Sequence, residues 1–443
     1  MKRFILAMML LIVPLAVHAK PKPNIVLIFT DDAGYADISA FGQGRGLLTP
    51  EIDRIAENGA MFSSGYVAAS VCAPSRAGLL TGRYQQRYGF HLNLPVAGTI
   101  PSNDPDLEGL PVDELTIGDL LQAQGYRTAI IGKWHQGVRE QFRPLVRGFD
   151  YFYGFLAGSR SYWLEDPARD LGQRMMRNTD FIYPTGYMTE VLTDEAIGFM
   201  SQESDQPFFV YLSHFAPHAP MQPKPEDEAL FSHIEDPKRR ALAGMSLSMD
   251  REIGRVLDFL EETGLDQNTL VIFLNDNGGP TYQNASDNTP LRGMKGSEFE
   301  GGIRVAYMMQ WPGVIPAGTV YDHPVIAYDV VPTAVAVAGG ELPDDREFDG
   351  VNLMPYVTGE IAEPPHKQLF WKRAASSTVR RGDWKLMNDD TQPRLFNLRE
   401  DLSETENLAD RYPEKVRELQ AAIADWETIH TPRLWDTGWT VGR

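Results

Sequence analysis

The sequence has a single cysteine, Cys72, in 443 residues. One thiol forms no internal disulfide, so nothing in this chain is stapled. Basic residues are also scarce: 41 Lys and Arg stand against 60 Asp and Glu, a formal net charge of −19. That acidic excess argues against a nucleic-acid-binding protein. It also means that an anionic ligand must be held by a local basic pocket, not by the overall field. There are nine histidines, and they form no cluster of the kind a two-zinc centre needs. No apolar run reaches the ~20 residues of a membrane-spanning helix. No internal repeat or low-complexity segment is present.

The longest apolar stretch is at the start. Lys2 and Arg3 precede an apolar run from Phe4 to Val17, and Val17-His18-Ala19 has the small-residue pattern of a cleavage site. Residues 1–19 therefore read as a secretory signal, giving an exported, periplasmic or secreted protein with no membrane anchor. Without them, 39 basic residues face 60 acidic ones, a charge of −21. Export with one cysteine is unusual, because exported proteins commonly carry disulfides.

Four short apolar runs read as buried strands: Asn24 to Phe29, Arg127 to Ile131, Phe208 to Ser213 and Leu270 to Leu274. Each is followed by residues able to do chemistry. These are Asp31-Asp32, then Lys133 and His135, then His218 between Pro217 and Pro220, then Asp276-Asn277. Amphipathic or capped stretches at Pro50 to Asn58, Ile117 to Gly125 and Lys238 to Glu262 predict helices. Fully apolar strands suit a sheet covered by helices on both faces. Ligands of such a sheet bind beyond the carboxyl ends of its parallel strands, so one topology gathers all these groups at one edge. Asp31, Asp32, Asp276 and Asn277 offer oxygen donors, which favour a hard cation, Ca²⁺ or Mg²⁺. Taken singly, each group has a plainer reading. Paired aspartates cap helices, Lys133 and His135 could be surface residues, and a lone cysteine is usually a small buried apolar residue.

The stretch Cys72-Ala-Pro-Ser-Arg76, running on to Leu80-Thr81-Gly82-Arg83, weighs against the plainer readings. It resembles the signature of type I sulfatases, within the alkaline phosphatase superfamily. Gly132-Lys133-Trp134-His135, Pro217-His218-Ala219-Pro220, Asp276-Asn277-Gly278, Lys295-Gly296 and Glu300-Gly301-Gly302-Ile303-Arg304-Val305 resemble further elements of that family. Gln136 departs from it, standing where an apolar residue is usual. The resemblance implies that a maturation enzyme oxidises Cys72 to formylglycine, whose hydrate attacks sulfur. It implies Ca²⁺ in preference to Mg²⁺, held by Asp31, Asp32, residue 72, Asp276 and Asn277. Arg76 would stabilise residue 72, while Lys133 and Lys295 would neutralise the sulfate. His218 would protonate the leaving oxygen, and His135 would help release sulfate. Arg83, Glu300 and Arg304 fit structural ion pairs equally well.

The fold so implied is α/β: a large, mostly parallel or mixed sheet sandwiched by helices over residues 20–345. A subdomain over 346–443 would follow, with a small antiparallel sheet and a packed helix. Composition shifts after Gly339, and four short strands and a helix from Pro413 to Glu427 are expected there. The aromatic-rich stretch Phe149 to Trp163 ends in a loop where Arg160 could bind a second sulfate and Tyr162 could stack on a sugar. Export and this loop favour a sulfated polysaccharide, an algal galactan such as carrageenan, over a small aryl or choline sulfate. Two rivals remain: a phosphatase or phosphonate monoester hydrolase of the same fold, and a non-catalytic carbohydrate-binding protein.

Overall fold

The computed structural model describes residues 21–42, 47–94, 107–389 and 391–435. The leader expected at 1–19 lies outside the described residues. The strand Asn24–Thr30 is buried along its whole length. It pairs in parallel with Phe208–Ser213 on one side and Thr269–Asn275 on the other. Arg127–Lys133 and then Tyr151–Phe155 continue the sheet in parallel. Tyr307–Gln310 and Met176–Arg177 add antiparallel neighbours toward the two edges, so the ten-stranded sheet is mixed.

Period-two alternation splits the strands between two apolar layers. Ile25, Leu27 and Phe29 face the helices Cys72–Thr81, Ile117–Ala123 and Val330–Val337. Val26 and Ile28 face Pro50–Glu57, Met188–Met200 and Pro237–Glu262. Covered faces leave the strand ends as the place where polar groups can gather. The helix carrying the cysteine begins at Cys72 itself. Pro74 is no obstacle there, because N–H groups in a first helical turn have no intrahelical partner.

Residues 369–397 form a four-stranded antiparallel sheet, with the helix Pro413–Glu427 laid on it. Trp426 of that helix stacks on Phe370 at 4.9 Å between ring centroids. The same apolar cluster takes in Tyr66, Ile303 and Tyr328, so it joins the small sheet to the large domain. A buried ion network crosses the same boundary. Lys385 Nζ lies 2.9 Å from Glu300 Oε1 and 2.8 Å from Glu404 Oε1, and Tyr66 donates to Glu300 Oε2 at 2.6 Å. Arg292 donates to the Glu404 carbonyl at 2.6 Å. The segment that carries Lys295 is thereby pinned at one end to the small sheet and at the other to the chain that follows it.

Candidate active site

Loops from the carboxyl ends of the parallel strands converge on the first turn of the helix Cys72–Thr81. Asp31 follows the central strand, and its Oδ1 lies 3.7 Å from Cys72 Sγ. Its Oδ2 accepts from Lys133 Nζ at 2.5 Å and from Arg76 at 3.0 Å. Lys295 Nζ bridges Asp32 Oδ1 at 2.6 Å and Cys72 Sγ at 3.0 Å. Asn277 Nδ2 donates to the same Asp32 oxygen at 2.8 Å. Asp32 Oδ2 stands 3.4 Å from His218 Nε2. Arg76, one turn along the helix from Cys72, donates to Ser213 Oγ at 2.6 Å and spans Asp31 and, at 3.4 Å, Asp276.

Backbone geometry supports this convergence. Asp32 adopts φ +65°, a left-handed conformation that aspartate tolerates better than most residues. Its N–H donates to Asp276 Oδ1 at 3.2 Å, which ties two strand ends together. Asn275 Nδ2 donates to the carbonyls of Ala33 at 2.7 Å and Asn277 at 2.6 Å. His135 also has φ +55°. It is packed so closely against Gly158 that a β-carbon there would stand 2.6 Å from His135 Nε2.

The electrostatics follow from burying ions together. Burial pushes the Asp31 pKa up, but Lys133, His218, Arg76 and Lys295 outweigh it and hold the carboxyl well below its usual range. At Asp276, burial and then the charges of Asp31 and Cys72 push the pKa well up, against Arg76. Burial alone would lower the Lys295 pKa; Asp32, Cys72, Asp31 and Asp276 raise it well above the usual lysine value. His218 and His135 are both lowered, first by burial. For His135, Lys133 and Arg76 add to the effect.

Arg160 and Tyr162 stand apart from this cluster, and the structure corrects both readings. Tyr162 is fully buried, stacked on Phe215 at 5.0 Å and Tyr187 at 5.6 Å, so no ring face is free for a sugar. Its hydroxyl donates to the carbonyls of Phe215 at 3.0 Å and His218 at 2.9 Å, so it braces the His218 loop. Arg160 is 5% exposed and turns its guanidinium onto the carbonyls of Ser161, Gln173 and Leu164. Arg83 pairs with Glu114 at 2.6 Å, and Arg304 with Glu300 at 3.4 Å, both structural. Gln136 donates to the Ala73 carbonyl at 2.9 Å, a polar role beside the cysteine.

Sequence reading missed three supporting groups. Ser213 relays Arg76 to the Lys133 carbonyl, donating at 2.7 Å. Asn93 Oδ1 accepts from the Ala73 N–H at 3.0 Å. Asn288 Oδ1 accepts from the Gly279 N–H at 2.9 Å. Ser213 ended a recognised strand and was the one within reach; the other two are single amides in irregular chain with no pattern to mark them.

Asp32 Oδ2 and Asn277 Oδ1 are buried oxygens with no hydrogen-bond partner among the described residues. Ligand atoms of Asp31, Asp32, Cys72 and His218 lie within 4.8 Å of one another. Buried, unpartnered oxygens at such spacing fit a hard cation. Asp31, Asp32, Asp276 and Asn277 could hold it, with residue 72 and His218 alongside.

The sulfatase family model matches residues 23–340. The chain is 28% identical to the uncharacterized sulfatase YdeN of Escherichia coli (strain K12), over 95% of this chain and 88% of that one. It is 31% identical to human steryl-sulfatase, over 80% of this chain and 72% of that one. Ps i-CgsB, solved in complex with k-i-k-neocarrahexaose, superposes with a TM-score of 0.88 at 34% identity, covering 95% of this chain and 96% of that one. With its motifs gathered around Cys72, the chain belongs to the sulfatase family and is a sulfuric ester hydrolase.

Proposed function

We propose that this protein removes sulfate from a sulfated polysaccharide or oligosaccharide, an algal galactan such as carrageenan, using a formylglycine made from Cys72 and a Ca²⁺ ion. The observation that carries the chemistry is the placing of Cys72 Sγ, 3.0 Å from Lys295 Nζ and 3.7 Å from Asp31 Oδ1. The substrate class is supported by the likeness to Ps i-CgsB with its bound neocarrahexaose. Export of the chain is supported by its leader-like first 19 residues. Among the described residues, no helix is long and apolar enough to cross a membrane.

A hydrated aldehyde at position 72 supplies an oxygen nucleophile. Asp31, Asp32, Asp276 and Asn277 would hold a divalent ion, which would supply Lewis-acid charge for the sulfate group. Arg76 fixes Asp31 and Asp276 in place. Lys133 and Lys295 present ammonium groups to the charge that develops on the sulfuryl oxygens. His218 Nε2 lies at the partly open side of the site, its side chain 13% exposed, where it can hand a proton to the departing sugar oxygen. His135 Nδ1, buried and unpartnered, is available to take a proton as sulfate is released.

The test is to express the chain with a formylglycine-generating or anaerobic maturation enzyme. The residue-72 peptide is then weighed, and sulfate release is measured from carrageenan oligosaccharides, an aryl sulfate and choline sulfate, beside an aryl phosphate. The expected result is an aldehyde at 72 and the fastest release from the oligosaccharides. Cysteine that stays unmodified, with no turnover, would instead support a carbohydrate-binding protein. Faster release of phosphate would support a phosphatase.

A further inference from the structure

The small sheet packs against the loop that carries Lys295. Gly296 follows Lys295 with φ +84°, and its N–H donates to the Ser70 carbonyl at 2.7 Å. A β-carbon at 296 would stand 3.2 Å from Nη2 of Arg373, 3.3 Å from its Cζ and 3.4 Å from its Nη1. Near-equal distances to these three atoms place the guanidinium face-on over this glycine. The N–H bonds lie in the guanidinium plane, so they point along the surface and not into the backbone beneath.

Arg373 ends the strand Leu369–Arg373. The turn after it is held where Arg433 donates to the Ala374 carbonyl at 2.9 Å. Among the described residues, no group accepts a hydrogen bond from the Arg373 guanidinium and no carboxylate pairs with it. The acidic side chain whose field reaches it, Glu298, accepts from Ser376 at 2.6 Å and Thr378 at 3.1 Å through Oε2, while its Oε1 is buried and makes no hydrogen bond to Arg373 or to any other described residue. Burial lowers the Arg373 pKa, opposed by Glu298 and by Tyr282, a side chain 67% exposed. A half-buried guanidinium with unused donors is costly unless something accepts from them. Its planar fork matches two oxygens of a sulfate or carboxylate.

We infer that Arg373 is a specificity-determining subsite, which takes an oxyanion on a sugar neighbouring the one being desulfated, a second sulfate ester. This rests on the sulfated-carbohydrate reading above. It moves the second-anion role from Arg160, whose donors are spent on backbone carbonyls, to a residue of the small sheet one step from Lys295. The sulfate to be cleaved is held by Lys133 and Lys295, so Arg373 acts on the choice of substrate.

The test uses the matured protein and two carrageenan tetrasaccharides, one with a single cleavable sulfate and one with an additional sulfate on the adjacent sugar. An aryl sulfate is run in parallel. Wild type should prefer the doubly sulfated tetrasaccharide by about tenfold or more in kcat/KM, the effect of one charge-assisted hydrogen-bonded pair. Arg373→Ala should erase that preference through KM, and Arg373→Lys should restore part of it. A preference that survives Arg373→Ala overturns the inference. An equal loss on both tetrasaccharides also overturns it, because it would mark Arg373 as a support for the Lys295 loop. Turnover of both tetrasaccharides without any preference removes the role of Arg373 alone. Turnover of the aryl sulfate with neither tetrasaccharide accepted removes the polysaccharide reading as well.

Discussion

Replacing Tyr162 by phenylalanine separates a sugar platform from a brace. The ring is fully buried between Phe215 and Tyr187, and phenylalanine keeps that packing. What is lost is one hydroxyl proton, shared between the carbonyls of His218 at 2.9 Å and Phe215 at 3.0 Å. The Phe215 carbonyl still accepts from the His218 N–H at 3.0 Å, so the loss falls mainly on the His218 carbonyl. An orphaned buried acceptor costs about 1–3 kcal/mol. In a chain of this size that lowers the melting temperature by roughly 1–3 °C. The loosened loop carries His218, so kcat should fall several-fold with KM little changed. Scanning calorimetry and sulfate release from a carrageenan oligosaccharide measure the two effects. A Tyr162→Phe protein with unaltered melting temperature and a raised KM would refute the argument, because that pattern belongs to a residue that touches substrate.

Arg76→Lys should fold but lose on the order of a hundredfold or more in kcat. One ammonium cannot replace a guanidinium that holds Asp31 at 3.0 Å, Asp276 at 3.4 Å and Ser213 at 2.6 Å; steady-state kinetics checks this. His214 is fully buried with neither ring nitrogen hydrogen-bonded, and burial lowers its pKa from the usual 6.5 to about 4. Stability is therefore intact above pH 6.5 and is lost as pH falls toward about 4, by roughly 3 kcal/mol in all. His214→Leu should flatten that part of a urea-denaturation series run against pH. Chelation of divalent ions should lower both melting temperature and activity, with Ca²⁺ restoring them better than Mg²⁺. Cys72→Ser should accept sulfate from substrate once and keep it, seen as a stable mass increase on the residue-72 peptide; normal multiple turnover would contradict the formylglycine role.

The strands that position the site were legible because each buried run is apolar on both faces and is followed by polar residues able to do chemistry. Asn24 to Phe29 and Leu270 to Leu274 lie within adjacent parallel strands, so Asp31, Asp32, Asp276 and Asn277 come together through sheet topology. Tyr151–Phe155 was less legible. Its aromatics and glycine carry no strand signal of their own, and it becomes a strand by pairing with Arg127–Lys133. Arg160 and Tyr162 were misplaced for a related reason. Sequence shows that an arginine and an aromatic sit beside a site, but not whether their polar atoms face solvent or backbone carbonyls. Arg373 left no signal at all, since its position depends on how a hairpin 77 residues after Gly296 packs back on that glycine.

The charge of the pocket ties the parts together. Three carboxylates, Asp31, Asp32 and Asp276, face three cations, Arg76, Lys133 and Lys295. Such a cluster is formally neutral inside a protein of net charge −19, and neutrality gives no attraction for a sulfate ester. In the proposed reading, one divalent cation makes the pocket net positive, and its field acts at short range in a buried site where screening by salt is weak. The ammonium groups of Lys133 and Lys295 are then free to turn from the carboxylates toward the substrate. Affinity for inorganic sulfate should therefore fall when divalent ions are chelated. It should depend only weakly on sodium chloride concentration, because the acidic surface is screened while the pocket is not. Isothermal titration with sulfate, at low and high salt, with and without calcium, measures both dependences. Sulfate binding that is indifferent to calcium would mean that the lysines alone carry the charge, and that the carboxylates serve to hold them in place.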